Sequence, residues 1–118
     1  MEYGKKVWIF GDGDLPPAGD SEPFGHEALI ITNCGEKEAV IDATIYFPDR
    51  DPDHATLRVP AERVICFRLD GPIGDENYQI PFGQYSLRLI SNAAVVAVFG
   101  RLDRRKDCAY YEIDGFCM

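Results

Sequence analysis

The sequence predicts an all-β protein, a two-sheet antiparallel β-sandwich of jelly-roll-like topology with about eight strands. β-branched and aromatic residues cluster in short runs, and Gly, Pro, Asn and Asp separate these runs at close intervals. Helical periodicity is missing from the runs, and the segments between them lack the pattern of crossover helices. Since 118 residues supply one hydrophobic core, we expect a single domain over residues 1–118.

Eight runs have the composition and length of strands. In the third run, apolar Ile41 alternates with polar Asp42 and their successors, which is the period of a half-buried strand. Turn residues at 35–37 and 60–61 predict antiparallel hairpins between the second and third runs and between the fourth and fifth. The runs cover residues 5–10, 26–34, 38–47, 55–60, 62–69, 84–91, 93–101 and 107–113.

The seventh run differs from an ordinary surface strand. Residues 93–99 are apolar at every position, so both faces of this strand should be covered. The core covers one face, and we expect a self-association surface to cover the other.

Two segments, 11–25 and 70–83, do not fit the strand pattern. Loops of this length are uncommon in a compact domain and are often functional, because an irregular segment can close over a ligand. They are our candidate walls for a binding site.

Charge and hydropathy exclude several classes of function. The net charge of -8 disfavours nucleic acid and anionic membrane surfaces as partners. Only the apolar residues 7–10 follow Lys5 and Lys6, which is too short for an export signal. The longest uncharged stretch, residues 89–100, is far below the roughly 20 residues of a membrane helix. We therefore expect a soluble cytoplasmic protein that does not span a membrane.

Neither a metal, nor a cofactor, nor an enzymatic mechanism is indicated. The cysteines form no C-x-x-C pair, and we interpret Cys34 and Cys66 as small buried apolar side chains in a reducing compartment. The spacing gives no support to a zinc site of cysteines with His26 and His54. The acidic turn 49–53 begins like a calcium loop, but His54 stands where that loop needs glycine. No serine or cysteine signature of a nucleophilic enzyme is present.

His26 and Glu27 begin the second run, directly after the first long segment. Neighbours on a strand point to opposite faces, so these two cannot act together on one substrate atom without a bulge. Glu27 shares a partly buried face with Asn33, and its carboxylate needs a partner there, for which Arg101 and Arg63 are the candidates. The sequence leaves open whether this network contacts a ligand or only braces the segment.

Trp8 is the only tryptophan and lies on the first run, before the Gly-rich segment. A flat indole in this place could stack on a sugar or another planar ligand, or it could be a core aromatic. The sequence does not decide between the two.

With these residues in view, the chain resembles the sensory rhodopsin transducer family. Members begin with a strand Trp, a Gly/Pro loop and a His-Glu strand start, which here are Trp8, Gly13 with Pro16-Pro17, and His26-Glu27. Val98 stands where members carry a Gln, so a polar pocket contact would be missing. Further matches follow in the same order up to about residue 113: Asn33, Ile45-Tyr46-Phe47 with Pro52, Val59-Pro60-Ala61 with Arg63, Ser91-Asn92, and Arg101-Leu102-Asp103 with Arg105.

The resemblance implies a homotetrameric, non-enzymatic relay that docks to a receptor or binds a small molecule, with a carbohydrate as one candidate. Our leading hypothesis is a small-molecule-binding or signal-relay module whose site lies at one end of the sandwich, under the segment 11–25. The alternative is a pure protein-interaction transducer, which docks to a membrane receptor and has no ligand of its own. The predicted ligand-binding residues are Trp8, His26, Glu27, Asn33, Arg101 and Asp103.

Overall fold

The computed structural model describes residues 1–105 and 108–118, and it confirms the all-β prediction. In this part of the chain no helix is long and apolar enough to cross a membrane. The predicted start of the last run, Asp107, lies outside the described residues. The strands are β1 Lys5–Leu15, β2 His26–Asn33, β3 Ala39–Tyr46, β4 Asp53–Val59, β5 Arg63–Arg68, β6 Gly83–Asp103, β7 Ala109–Ile113 and β8 Gly115–Cys117.

These strands, all antiparallel to their neighbours, form two layers around one core. The first layer has the order β4-β3-β6-β1-β8, and the second has the order β5-β2-β6-β7. Phe10 of β1 and Phe99 of β6 stack across the interior, with ring centroids 5.4 Å apart. Around them the core-facing positions of both layers are filled by fully buried Leu and Ile side chains, as a sandwich requires.

β6 belongs to both layers, which the sequence did not predict. The predicted runs 84–91 and 93–101 are two arms of this one strand. The first arm pairs with β1 and β3 as far as Ser91, and the second arm pairs with β2 from Val96 onwards. At the corner between them, the backbone N of Ala93 donates to Oγ of Ser91 at 3.2 Å. The chain thus passes from one layer to the other without an intervening loop.

Both predicted hairpins are wrong. β2 pairs with β5 and β6, whereas β3 pairs with β4 and β6. The turns after β2 and after β4 therefore carry the chain from one layer to the other. Turn residues specify that a chain reverses, but the pairing partner is set by which apolar face has to be buried against which.

The two long segments are more structured than the sequence predicted. β1 continues through residues 11–15 because a bulge preserves its pairing with β6. In the segment 70–83, buried Ile73 and Ile80 join the core. The irregular loop of residues 16–25 is closed by a hydrogen bond from the backbone N of Gly25 to the carbonyl of Ala18, at 2.7 Å.

The prediction that Cys34 and Cys66 are buried is also wrong, since both are exposed. Cys66 lies on β5 between Ile65 and Phe67, whose side chains pack against the core, so strand alternation turns Cys66 outward. Cys34 directly follows β2, where Asn33 takes the buried position.

Candidate functional site

Glu27, the second residue of β2, has no solvent-exposed surface. Its carboxylate accepts three hydrogen bonds. Oε2 accepts from the backbone N of Asp14 at 3.0 Å and from Nε of Arg101 at 2.9 Å, and Oε1 accepts from the hydroxyl of Tyr85 at 2.6 Å. We call this group the Glu27 clamp. It satisfies a carboxylate that would otherwise be too costly to bury.

Arg101, on the second arm of β6, is 5% exposed and joins the clamp to β7 and to a second point on β1. Its Nη1 donates to the hydroxyl of Tyr111 at 3.0 Å, and its Nη2 donates to the carbonyl of Asp12 at 2.6 Å. Of the two predicted partners for Glu27, Arg101 is confirmed. Arg63 lies opposite Asn33, at the far end of β2.

A β-bulge in β1 orients the backbone groups of the clamp. Phe10 pairs with Leu87 and Gly13 with Tyr85, so three steps along β1 oppose two along β6. Because of the bulge, the carbonyl of Asp12 accepts a hydrogen bond from Arg101. Two residues later, the backbone N of Asp14 donates to Glu27. A Cβ at Gly13 would come within 2.6 Å of the Tyr85 ring, so this ring can lie against β1 only over a glycine.

Electrostatics keep the phenol neutral and the guanidinium charged. Burial, reinforced by the charge of Glu27 and the hydrogen bond to it, raises the pKa of Tyr85 far above its ordinary value. Burial opposes the charge on Arg101, but hydrogen bonds to Tyr111 and Glu27 prevail and raise the pKa of Arg101. The donors of the clamp therefore stay protonated throughout the physiological pH range.

Asp103 lies beside the Glu27 clamp rather than within it. Hydrogen bonds from the side chain and the backbone N of Arg105 lower the pKa of Asp103. The same guanidinium lies 3.8 Å from the carboxylate of Asp14. Asp103 thus links the end of β6 to β1 through Arg105.

His26 points away from Glu27, as strand alternation predicts, and lines a separate cleft. Its Nδ1 lies 2.7 Å from the carbonyl oxygen of Phe24, to which it donates in the Nδ1-protonated tautomer. This tautomer leaves Nε2 as a hydrogen-bond acceptor. The cleft has a volume of about 460 Å³ and is lined by Glu22, Pro23, Phe24, His26 and Arg68.

Asn33 lies at the other end of β2, near the corner of β6. It is 1% exposed, and its Nδ2 donates to the carbonyls of Lys37 at 2.8 Å and Val59 at 3.1 Å. Its Oδ1 accepts from the backbone N of Gly35 at 2.9 Å. Six residues of extended strand place Asn33 about 20 Å from Glu27, too far for one small ligand to contact both.

Trp8 has the contacts of a core aromatic. Its Nε1 donates to the carbonyls of Lys5 and Val95, both at 3.1 Å, and its ring stacks on Phe10 with a centroid separation of 6.2 Å. Val95 belongs to the corner of β6, so the indole lies on the Asn33 side of the molecule. Its N–H is occupied by the protein itself.

The structure thus brings together only part of the predicted set. Glu27 and Arg101 contact each other, His26 and Asp103 lie at the edges of the clamp, and Trp8 and Asn33 lie elsewhere. Val98 is on the outer side of β6, opposite to Arg101, so the clamp is complete with a valine there.

Tyr85, Tyr111 and the backbone of β1 were not among the predicted site residues. A signal for Tyr85 was present, because it shares strand parity with Leu87 and Leu89, and a phenol on a core face needs a polar partner. Nothing comparable marks Tyr111, whose ring lies 5.5 Å from the Arg101 guanidinium and is 40% exposed. The backbone of β1 bonds to Glu27 and Arg101 because of its bulge, and the bulge is visible only in the pairing of β1 with β6.

The polar side chains of the Glu27 clamp bond to one another and to the backbone. Among residues 1–105 and 108–118, no group of three His, Cys, Asp or Glu side chains could hold a metal ion. Both oxygens of Glu27 already accept hydrogen bonds from the protein. The clamp therefore ties β1, β2 and both arms of β6 together.

Comparison with known proteins gives one family and several similar structures, two of which are described here. The family model described as Anabaena sensory rhodopsin transducer matches residues 3–111. A crystal structure of Thermotoga maritima 1070 is 28% identical, covers 98% of this chain and 96% of its own, and has a TM-score of 0.86. The Anabaena sensory rhodopsin transducer is 29% identical, with 89% and 94% covered and a TM-score of 0.75. No curated protein matches the chain.

Proposed function

We propose that this chain, which belongs to the Anabaena sensory rhodopsin transducer family, is a non-catalytic cytoplasmic signal-relay module that docks to a receptor protein. The observation that carries the proposal is the family match, which spans residues 3–111. The similar structure from Anabaena bears the name of a transducer, and the likeness covers 89% of this chain. A receptor is therefore the class of partner with the best support.

The geometry is consistent with a relay that does no chemistry. At the loop end, where residues 16–25 lie, the charges of Glu27 and Arg101 are used internally, since each bonds to the other and to further groups of the protein. Fastening of this kind would restrict the neighbouring loop, and a restricted loop loses less entropy on docking to a partner. Phe24 on the 16–25 loop is 42% exposed and offers an apolar contact there.

Capture from native membranes, followed by titration, tests the receptor proposal. We expect the immobilised chain to retain a membrane receptor, and the purified receptor in detergent micelles to bind the chain in solution. Phe24→Ser should weaken this binding, whereas Phe116→Ser, which changes a phenylalanine on β8 that is more exposed than Phe24, should not. A receptor that binds both variants as tightly as the parent would place the docking surface elsewhere, and no binding at all would refute the proposal.

A second candidate function, small-molecule binding, is favoured by the cleft beside His26. Its lining combines an exposed aromatic ring, an imidazole acceptor and the Arg68 guanidinium, which is the mixture that a sugar or another polar ring compound requires. Arg68 is also held by Asp70, at 2.8 Å, so its position is defined. Of the predicted ligand-binding residues, His26 is the one that lines this cleft.

Calorimetry with a panel of mono- and disaccharides tests whether the cleft beside His26 binds a sugar. We expect heat of binding that His26→Ala abolishes and that Trp8→Phe, near the corner of β6, leaves unchanged. A saccharide that binds His26→Ala and the parent equally well would remove the cleft from consideration. The absence of any binding heat across the panel would rule out the sugar version of this function.

A further inference from the structure

Arg88 lies on the first arm of β6, on the outer side of the first layer. Its Nη2 donates to the hydroxyl of Thr44, the residue opposite on β3, at 3.2 Å. Its Nε is buried and has no hydrogen-bond partner among residues 1–105 and 108–118. Within the same residues, no ion pair joins this guanidinium to a carboxylate. The cation is therefore held in place without being neutralised.

The two other arginines nearest to β3 and β4 are neutralised by the chain itself. Nε of Arg50 lies 3.2 Å from the carboxylate of Asp49. Nε of Arg58 lies 2.9 Å from the carboxylate of Asp75. An anion from outside the chain would therefore gain more at Arg88 than at either of them, because it would displace no carboxylate there.

The Arg88 guanidinium is turned along the sheet toward Tyr46. On the outer side of β3, Asp42, Thr44 and Tyr46 follow one another at every second residue, and the middle one pairs with Arg88. A long side chain can reach either diagonal neighbour. Cζ of Arg88 lies 5.7 Å from the centre of the Tyr46 ring, within the range of a cation–π contact. Asp42 instead lies 4.0 Å from Nδ1 of His54, so the positive charge is presented on the Tyr46 side.

A cleft with a volume of about 230 Å³ opens on that side of Arg88. Tyr46 and Ser86, which pair across β3 and β6, both line it. The volume is below the roughly 300 Å³ at which pockets for drug-sized ligands begin, so the cleft holds about one ring. We call it the Tyr46 cleft, and its lining is aromatic or uncharged throughout: Tyr46, Phe47, Pro48, Gln84, Tyr85 and Ser86.

The walls of the Tyr46 cleft are held by contacts of their own. Phe47 packs against the core, and Cζ of Arg50 lies 4.4 Å from the centre of its ring. The hydroxyl of Ser86 donates to the carbonyl of Gly11 at 2.9 Å, so its proton is already used. A cleft whose walls are fixed in advance loses little entropy when a ligand enters it.

The spacing between the cleft and the cation fits a short ligand. Ser86 and Arg88 are two residues apart on an extended strand, so they share a face and lie about 7 Å apart. A single ring that carries a carboxylate has about this length. Such a molecule can place its ring in the cleft and its anionic group at the guanidinium.

We infer that the Tyr46 cleft and Arg88 together bind a small aromatic carboxylate, a molecule with one planar ring and one carboxylate group. The ring packs against Tyr46. The planar carboxylate accepts hydrogen bonds from the guanidinium N–H groups that Thr44 leaves free. A single negative charge is favoured over a phosphate dianion, because the net charge of -8 repels the dianion more strongly.

This site is separate from both surfaces named under the proposed function. The cleft beside His26 shares no lining residue with the Tyr46 cleft, and Phe24 lines only the former. A failure at one site therefore leaves the other unaffected.

Titration with benzoate, followed by ¹H–¹⁵N NMR, tests the inference. Benzoate should shift the amide signals of Tyr46, Gln84 and Ser86. Benzamide has the same shape without the charge, so it should bind about tenfold more weakly. Arg88→Gln should reduce the affinity for benzoate to that for benzamide. Arg58→Gln is the matched control, since Arg58 is already paired with Asp75, and it should preserve the difference.

A second pair of variants tests the ring contact. Tyr46→Leu should weaken both benzoate and benzamide roughly fivefold, because both place the same ring against Tyr46. Tyr110→Leu, which changes an exposed tyrosine on β7, should weaken neither. Circular dichroism and thermal unfolding would verify that all the variants are folded.

Three outcomes would overturn the inference. Benzoate that shifts no amide of the Tyr46 cleft would show that the cleft does not bind an aromatic carboxylate. Equal affinities of the parent and of Arg88→Gln for benzoate would remove Arg88 as the anchor. Binding that His26→Ala abolishes would place the ligand in the other cleft.

Discussion

The two ends of β2 are fastened by different chemistry. At the loop end, Glu27 is buried with its charge and is held by side chains and backbone from β1 and from both arms of β6. At the corner end, Asn33 is buried without a charge and bonds only to the backbone, at Gly35, Lys37 and Val59 among others. Both side chains share the core-facing parity of one strand.

Because the two ends are fastened differently, the loss of a hydrogen-bonding partner should affect their stability differently. A buried charge is tolerated only while its whole set of partners is present, so the loop end depends on several segments meeting at once. A buried amide that bonds to turn carbonyls depends on local backbone, and those carbonyls can turn to water when it is removed. The loop end should therefore be the more sensitive of the two.

The largest effect should come from breaking the clamp. Glu27→Ala leaves the Arg101 guanidinium buried without its carboxylate and should lower the free energy of unfolding by about 3–5 kcal/mol. Urea titration measures it. The double variant Glu27→Gln with Arg101→Met, which removes both charges, should recover much of the loss. A loss below about 1 kcal/mol for Glu27→Ala would mean that the clamp contributes little and that the comparison fails.

Removal of one neutral partner should have a smaller effect. Tyr85→Phe deletes the 2.6 Å hydrogen bond to Glu27 and should lower the free energy of unfolding by about 2 kcal/mol at neutral pH.

The same variant has a defined pH dependence. Burial raises the pKa of Tyr85 in the folded state above its ordinary value of 10.0, so its contribution is complete below that value. At higher pH the unfolded chain loses the proton first, and stability falls. Between about pH 8 and about pH 11, the parent should therefore lose more stability than Tyr85→Phe. Equal slopes for the two proteins would contradict the assignment.

The corner end should be less sensitive. Asn33→Ala removes the amide that closes the turn after β2 and should cost about 1.5 kcal/mol in the free energy of unfolding. Asn92→Ala is the control, because the exposed Asn92 accepts a single hydrogen bond within the described part of the chain, from the backbone N of Val40. An effect of Asn33→Ala as large as that of Glu27→Ala would erase the contrast between the ends.

The smallest effect should come from an ion pair outside both ends. Arg58 contacts Asp75 at 2.9 Å and Glu38 at 3.1 Å, but all three side chains are about half exposed to water. Arg58→Gln should leave the unfolding midpoint unchanged within experimental error, because water and salt screen such pairs. A clear decrease in the unfolding midpoint would show that the ion pairs of Arg58 stabilise the fold despite their exposure to water.

The sequence predictions succeeded where they depended on local interactions and failed where they depended on contacts between distant segments. Alternation along a strand is local, so it correctly turned Glu27 inward and His26 outward, and it narrowed the partner of Glu27 to two arginines. The same local information gave wrong hairpins after β2 and β4, because a turn does not choose the neighbour of a strand. It also failed at Cys66, where an apolar residue on the outer parity was taken as buried.

The sequence by itself determined the class of fold and the faces that Glu27 and Asn33 occupy, since these depend on residue type and on a period of two. It did not give the number of strands, because two predicted runs are arms of β6 and β8 was not predicted. Only the tertiary structure decided that Glu27 and Arg101 meet while Trp8 and Asn33 lie at the other end. The physical reason is the corner in β6. A bend near Ser91 returns the second arm over the first, so residues far apart in the chain meet at one carboxylate.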